Sequence, residues 1–97
     1  MAVLVQNTGA GWDRELYQTL HDRVLPDVTK PPAGLISHAA MPGDPDGWVV
    51  IDVWESTEDY QRFLEDVLIP ASQELGAPQF DTKIVEIYNL MLPPHPI

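Results

Sequence analysis

The chain has 97 residues, 44% hydrophobic and 21% charged, ordinary values for one globular domain and too apolar for a disordered one. Five Lys and Arg against fifteen Asp and Glu leave a net charge of −10, which argues against nucleic-acid and anionic-membrane partners because phosphate neutralisation drives such binding. The absence of cysteine removes disulfides, thiolate nucleophiles, iron–sulfur clusters and Cys-ligated zinc.

Val3–Thr8 is a short apolar run closed by Asn7, Thr8 and Gly9, which predicts a buried strand. Trp12–Leu25 follows with Leu16, Leu20 and Val24 at helical spacing, acidic Asp13 and Glu15 in the first turn, and Pro26 as the stop. Ala33–Met41 and Gly47–Glu55 read as two strands joined by a hairpin loop, Pro42–Gly43–Asp44–Pro45–Asp46. Ser56 is the expected N-cap of a helix that starts at Thr57, buries Tyr60, Phe63, Leu64, Val67 and Leu68, kinks or restarts at Pro70 and ends at Gly76. Lys83–Leu92 is the last predicted strand. The ten prolines cluster between these segments, and 93–97 reads as a Pro-rich tail on a single domain spanning 1–92. No apolar run reaches the ~20 residues of a membrane span. Met1–Val5 lacks the basic and apolar regions of a secretory signal, so a cytoplasmic protein is expected.

The order β-α-β-β-α-β predicts an α+β, ferredoxin-like fold with a four-stranded antiparallel sheet and both helices on one face. Strand alternation puts Val49, Ile51 and Val53 on one side of the third strand and Trp48, Val50, Asp52 and Trp54 on the other. The aliphatic set suits the helices, so the indoles and the carboxylate are expected on the bare face, where a large apolar patch marks an interface or ligand site. An RNA-binding sheet of the same element order carries a basic residue and stacking aromatics on this strand. Here Asp46 and Val50 stand in those places and Asp52 would repel the phosphates, so RNA is rejected.

The stretch Asp52–Val53–Trp54–Glu55–Ser56–Thr57–Glu58–Asp59–Tyr60 resembles the strand-to-helix junction of the dimeric α/β-barrel superfamily, which includes the antibiotic-biosynthesis monooxygenases. Pro32–Ala33–Gly34–Leu35–Ile36–Ser37 resembles that group's approach to its second strand, and element order and lengths agree from Val3 to Met91. The resemblance implies a homodimer paired through its sheets, a small-molecule cavity between sheet and helices, and a Trp54 that holds an aromatic substrate. Cofactor-free monooxygenases of this group have Asn four residues before that Trp, where this chain has Val50. Heme-degrading relatives combine an Asn on the first strand, matched by Asn7, with a His on the second helix. Thr57–Leu75 contains no histidine, which argues against heme.

Candidate residues each carry two readings. Trp54 either walls the pocket or packs a dimer core, and Trp48 is more a contact and shaping residue than a catalyst. Asp52 is either a paired or solvated carboxylate or an acid/base group raised by desolvation. His38, if paired with Val50 across the hairpin, points to the side of Asp52 and Trp54, and a one-residue slip would turn it away. Imidazole exchanges protons near neutral pH, so His38 and Asp52 are the candidate proton movers. Asn7, on the Val3–Val5 side of its strand, would polarise a carbonyl or steady an enolate. Tyr17 and Tyr60 read as core residues whose hydroxyls reach toward a cavity. With Trp54, Trp48 and Val50 they form the expected substrate wall. His21 reads as a partly exposed helix residue, and His95 and the Asp44–Asp46 loop carry no assigned chemistry.

The expected function is a cofactor-independent enzyme, needing no metal, that oxidises an aromatic or polyketide-like molecule through proton abstraction and carbanion chemistry. A cyclase or isomerase using the same His/Asp pocket and a non-catalytic ligand-binding dimer are the alternatives.

Overall fold

The computed structural model describes residues 1–93; most of the tail 93–97, His95 included, lies outside them. Four strands, β1 (Val3–Gly9), β2 (Leu35–Pro42), β3 (Trp48–Trp54) and β4 (Asp81–Glu86), form one antiparallel sheet in the order β2-β3-β1-β4. Helix α1 (Arg14–Val24) joins β1 to β2, and the β3–β4 connection carries α2 (Thr57–Phe63), a π-turn segment (Leu64–Leu68) and α3 (Ile69–Glu74). This is the predicted ferredoxin-like α+β order.

The helix ends follow the residues that cap them. Asp13 is the N-cap of α1 and accepts from the Leu16 N–H at 2.8 Å, so the helix begins two residues after the expected Trp12. That frees Trp12 to turn inward, where its indole N–H donates to the Pro78 carbonyl at 2.9 Å. Gly9 is required beneath it, since a Cβ there would lie 2.3 Å from the Trp12 ring. Ser56 caps α2 as expected, accepting from the Asp59 N–H at 3.1 Å and donating its hydroxyl to the Asp59 carboxylate at 2.8 Å. Pro70 lacks an N–H and its ring crowds the carbonyl four residues back. The helix answers by widening through 64–68 and restarting at Ile69. Gly76 closes it with φ +64°, its N–H on Gln73 O and that of Ala77 on Ser72 O, the paired bonds of a Schellman cap.

Two expectations need correction. The last strand runs over Asp81–Glu86 rather than Lys83–Leu92. Beyond it the chain leaves the sheet after one bond from Ile87 N–H to Ala2 O at 3.0 Å. The faces of β3 are also the reverse of those expected. Trp48, Val50, Asp52 and Trp54 look toward the helices, while Val49, Ile51 and Val53 lie on the bare face. Trp54, 1% exposed, packs on Tyr60 and Phe63 of α2 and joins the buried Val3 and Val5 of β1. Both sides of β3 are apolar, so alternation separates the two sets without saying which is inward. The larger side chains win because burying an indole removes more apolar surface than burying a valine.

The β2–β3 register is also displaced from expectation. His38 pairs with Asp52, not Val50, and a bulge between Leu35 and Ser37 inserts Ile36. Leu35 and His38 are three apart and would face opposite sides in a regular strand. The extra residue lets Leu35 reach the core around Trp54 while His38 still faces α1.

Candidate active site

Between the sheet and the helices lies a cavity of about 110 Å³. Its walls are mostly apolar, with Trp12, Trp48, Trp54, Leu20, Phe63 and Phe80 among them, and its polar side chains are Asn7, Tyr17, His21, His38 and Asp52. Seven of the eight predicted site residues line this cavity, six of them from the sheet (Asn7 on β1, His38 on β2 and Trp48, Val50, Asp52 and Trp54 on β3) and Tyr17 opposite them on α1. Tyr60 stands behind Asn7 rather than on the cavity wall.

Four of these side chains form one hydrogen-bonded chain. Asp52, 7% exposed, places Oδ1 2.6 Å from His38 Nδ1 and accepts the Trp54 indole N–H on Oδ2 at 3.3 Å. His38 Nε2 lies 2.5 Å from the Tyr17 hydroxyl, and the two rings are stacked with an interplanar angle of 12°. An ionised carboxylate only accepts, so the His38 proton sits on Nδ1 toward Asp52. The Nε2 lone pair then takes the Tyr17 O–H. Burial, then the negative charges of Asp52 and Asp22, push the Tyr17 hydroxyl above its ordinary value, so Tyr17 is held as a neutral phenol.

Asn7 anchors a second cluster. Its side-chain oxygen accepts from Thr82 at 2.6 Å and its amide nitrogen donates to the Tyr60 hydroxyl at 3.2 Å. That leaves one amide N–H for a ligand. Burial raises Tyr60 against the smaller opposing effect of its bonds with Asn7 and Thr82. His21 and Trp12, which the sequence reading left outside the site, both line the cavity. The signal for His21 was its position four residues after Tyr17, which puts both on one face of α1; their rings lie 5.7 Å apart. Among the described residues no three His, Asp or Glu side chains gather as metal ligands, and no helix is long and apolar enough to cross a membrane.

No family model matches the chain, and no curated protein matches it. Solved structures do. SnoaB, a cofactor-independent oxygenase from Streptomyces nogalater, superposes with a TM-score of 0.63 at 14% identity, covering 93% of this chain and 95% of that one. Rv0793 from Mycobacterium tuberculosis gives 0.70 at 12% identity over 93% and 98% of the two chains. The shared fold is the ferredoxin-like α+β architecture, a four-stranded antiparallel sheet with its helices on one face. A third likeness, NE2512 from Nitrosomonas europaea, a protein of unknown function, gives 0.68 at 18% identity over 97% and 95%. Identities this low establish the shared architecture, and the chemistry rests on the side chains described above.

Proposed function

We propose that the protein is a cofactor-independent enzyme acting on a small aromatic or polyketide-like molecule, with the His38–Asp52 pair as its proton acceptor. The observation that carries this reading is a buried carboxylate bonded to a partly exposed imidazole at the wall of an otherwise apolar cavity. Such a site binds a flat apolar substrate by burial and reserves its few polar groups for the reacting atoms. In an anthrone-type phenol, loss of a proton from the activated ring system leaves a carbanion. The carbanion adds dioxygen, and the peroxide takes a proton back from the imidazolium. Loss of the second C–H proton with O–O cleavage then gives a carbonyl and water. The remaining Asn7 amide N–H is suited to the developing oxyanion. The likeness to SnoaB supports this oxygenase form.

Val50 faces Asn7 across the β1–β3 ladder, where the cofactor-free monooxygenases of the resemblance have Asn. This favours a second reading in which the same carbanion closes on an internal carbonyl, as in a cyclase or isomerase. We further propose that two copies pair through the bare sheet face. The deciding experiment is oxygen uptake with an anthrone-type phenol and no added cofactor, wild type against His38→Ala. Uptake that falls ~10²–10⁴-fold in the variant supports the oxygenase. Product formed without uptake transfers the assignment to the cyclase, and turnover unchanged in the variant overturns the acid/base role.

A further inference from the structure

We propose that the Tyr17 hydroxyl, rather than the His38 imidazole, is the group that meets the substrate, and that it relays the substrate's proton to His38. This deepens the reading of the cavity as a proton-transferring site and rests on it. Both nitrogens of His38 are already engaged inside the protein: Nδ1 with Asp52 at 2.6 Å and Nε2 with Tyr17 at 2.5 Å. An imidazole so occupied has no lone pair left for an outside proton. A hydroxyl that donates one bond still has acceptor capacity, and Tyr17 lines the cavity from α1.

The transfer balances without a charged tyrosine. The substrate's O–H bond breaks and its proton bonds to Tyr17 Oη. In the same step the Tyr17 O–H bond breaks and that proton bonds to His38 Nε2. The substrate is left as an anion, Tyr17 is again a phenol, and His38 is an imidazolium whose charge faces the Asp52 carboxylate. Reversal returns the proton to the product. Burial and the nearby Asp52 and Asp22 charges oppose a tyrosinate, so a concerted relay suits this phenol where a standing tyrosinate base would not. The charged or titratable groups around the pair are His21 and Asp22 from α1 and Asp52 from β3. The relay also narrows the substrate class: it presents its acidic proton on oxygen, as the enol form of an anthrone-type phenol does, and the anion left is a resonance form of the carbanion that reacts.

The test uses 4-nitrophenol, whose phenolate absorbs visible light, at a pH where the free probe is mostly protonated. Wild-type protein in excess should convert the probe to bound phenolate, and Tyr17→Phe and His38→Ala should each reduce that conversion about tenfold or more, equivalent to one unit in the probe's ionisation. Tyr17→Phe keeps the ring, so its loss should fall on ionisation and on kcat rather than on KM. If Tyr17→Phe ionises the probe as wild type does while His38→Ala does not, His38 takes the proton directly; the relay is then overturned and the proposed function stands. If wild type forms no bound phenolate, both fall together. The His38 ring-nitrogen NMR resonances of the unliganded protein give a second readout. A shift of Nε2 in Tyr17→Phe, with the rest of the spectrum retained, supports the contact, and an unmoved Nε2 overturns it.

Discussion

Asp52 lies between Val50 and Trp54 on the inward face of β3 with 10% of its side chain exposed, a position that costs several kcal/mol for a carboxylate unless its oxygens are satisfied. The His38 and Trp54 N–H groups satisfy them, so the proposed proton-transfer geometry and stability share the same bonds. Asp52→Ala should therefore cost about 1–3 kcal/mol in urea unfolding, because two donors lose their acceptor. In a double-mutant cycle, His38→Ala and Asp52→Asn should be coupled by about 0.5–3 kcal/mol; strict additivity would show that the contact contributes nothing. The tyrosines set a separate pH limit. The unfolded chain releases a phenol proton at the ordinary value of 10.0, whereas folded Tyr17 and Tyr60 hold theirs to higher pH. Unfolding then releases protons, so this contribution leaves stability unchanged below about pH 10 and lowers it as pH rises beyond. Unfolding midpoints measured across that range should decline less steeply in Tyr60→Phe.

At the level of elements, two glycines separate backbone strain from crowding. Gly76 has φ +64° and open space where a Cβ would go, so Gly76→Ala should cost about 1–2 kcal/mol for the left-handed conformation alone. Gly34 has φ +89° and a Cβ there would meet the Asp59 side chain at 2.5 Å, so Gly34→Ala should cost more and loosen the start of α2. Denaturant titration of both variants checks the order. Ser56, Pro70 and Gly76 were legible in the sequence because capping and ring closure are local, and the element order followed from them. The orientation of β3 was not legible, because both of its faces are apolar and only contact with α2 decides between them. The Ile36 bulge was equally hidden, since its reason lies in the distant requirement that Leu35 and His38 share a face. Within the site, the shared face of His38 and Asp52 was readable from hairpin parity, whereas their direct pairing was not, since the expected partner of His38 was Val50. The Tyr17 contact was not, because it depends on how α1 sits across the sheet.

On the scale of the whole molecule, the bare sheet face carries a band of aliphatic side chains. Val53, Leu4 and Val85 adjoin across β3, β1 and β4, with Ile51 and Val49 further along β3. If this face joins two copies, it must bury roughly 800 Å² per partner. Ile51→Asp should then convert a dimer to a monomer in light scattering while circular dichroism stays unchanged. A wild-type monomer at micromolar concentration would remove the sheet-to-sheet pairing altogether. All three tryptophans of the chain, Trp12, Trp48 and Trp54, border the cavity between sheet and helices. The protein's entire indole emission therefore originates at the walls of this cavity. Any flat molecule that enters will change the surroundings of every emitter at once, so unlabelled protein can report occupancy in a simple fluorescence titration before a reaction is known.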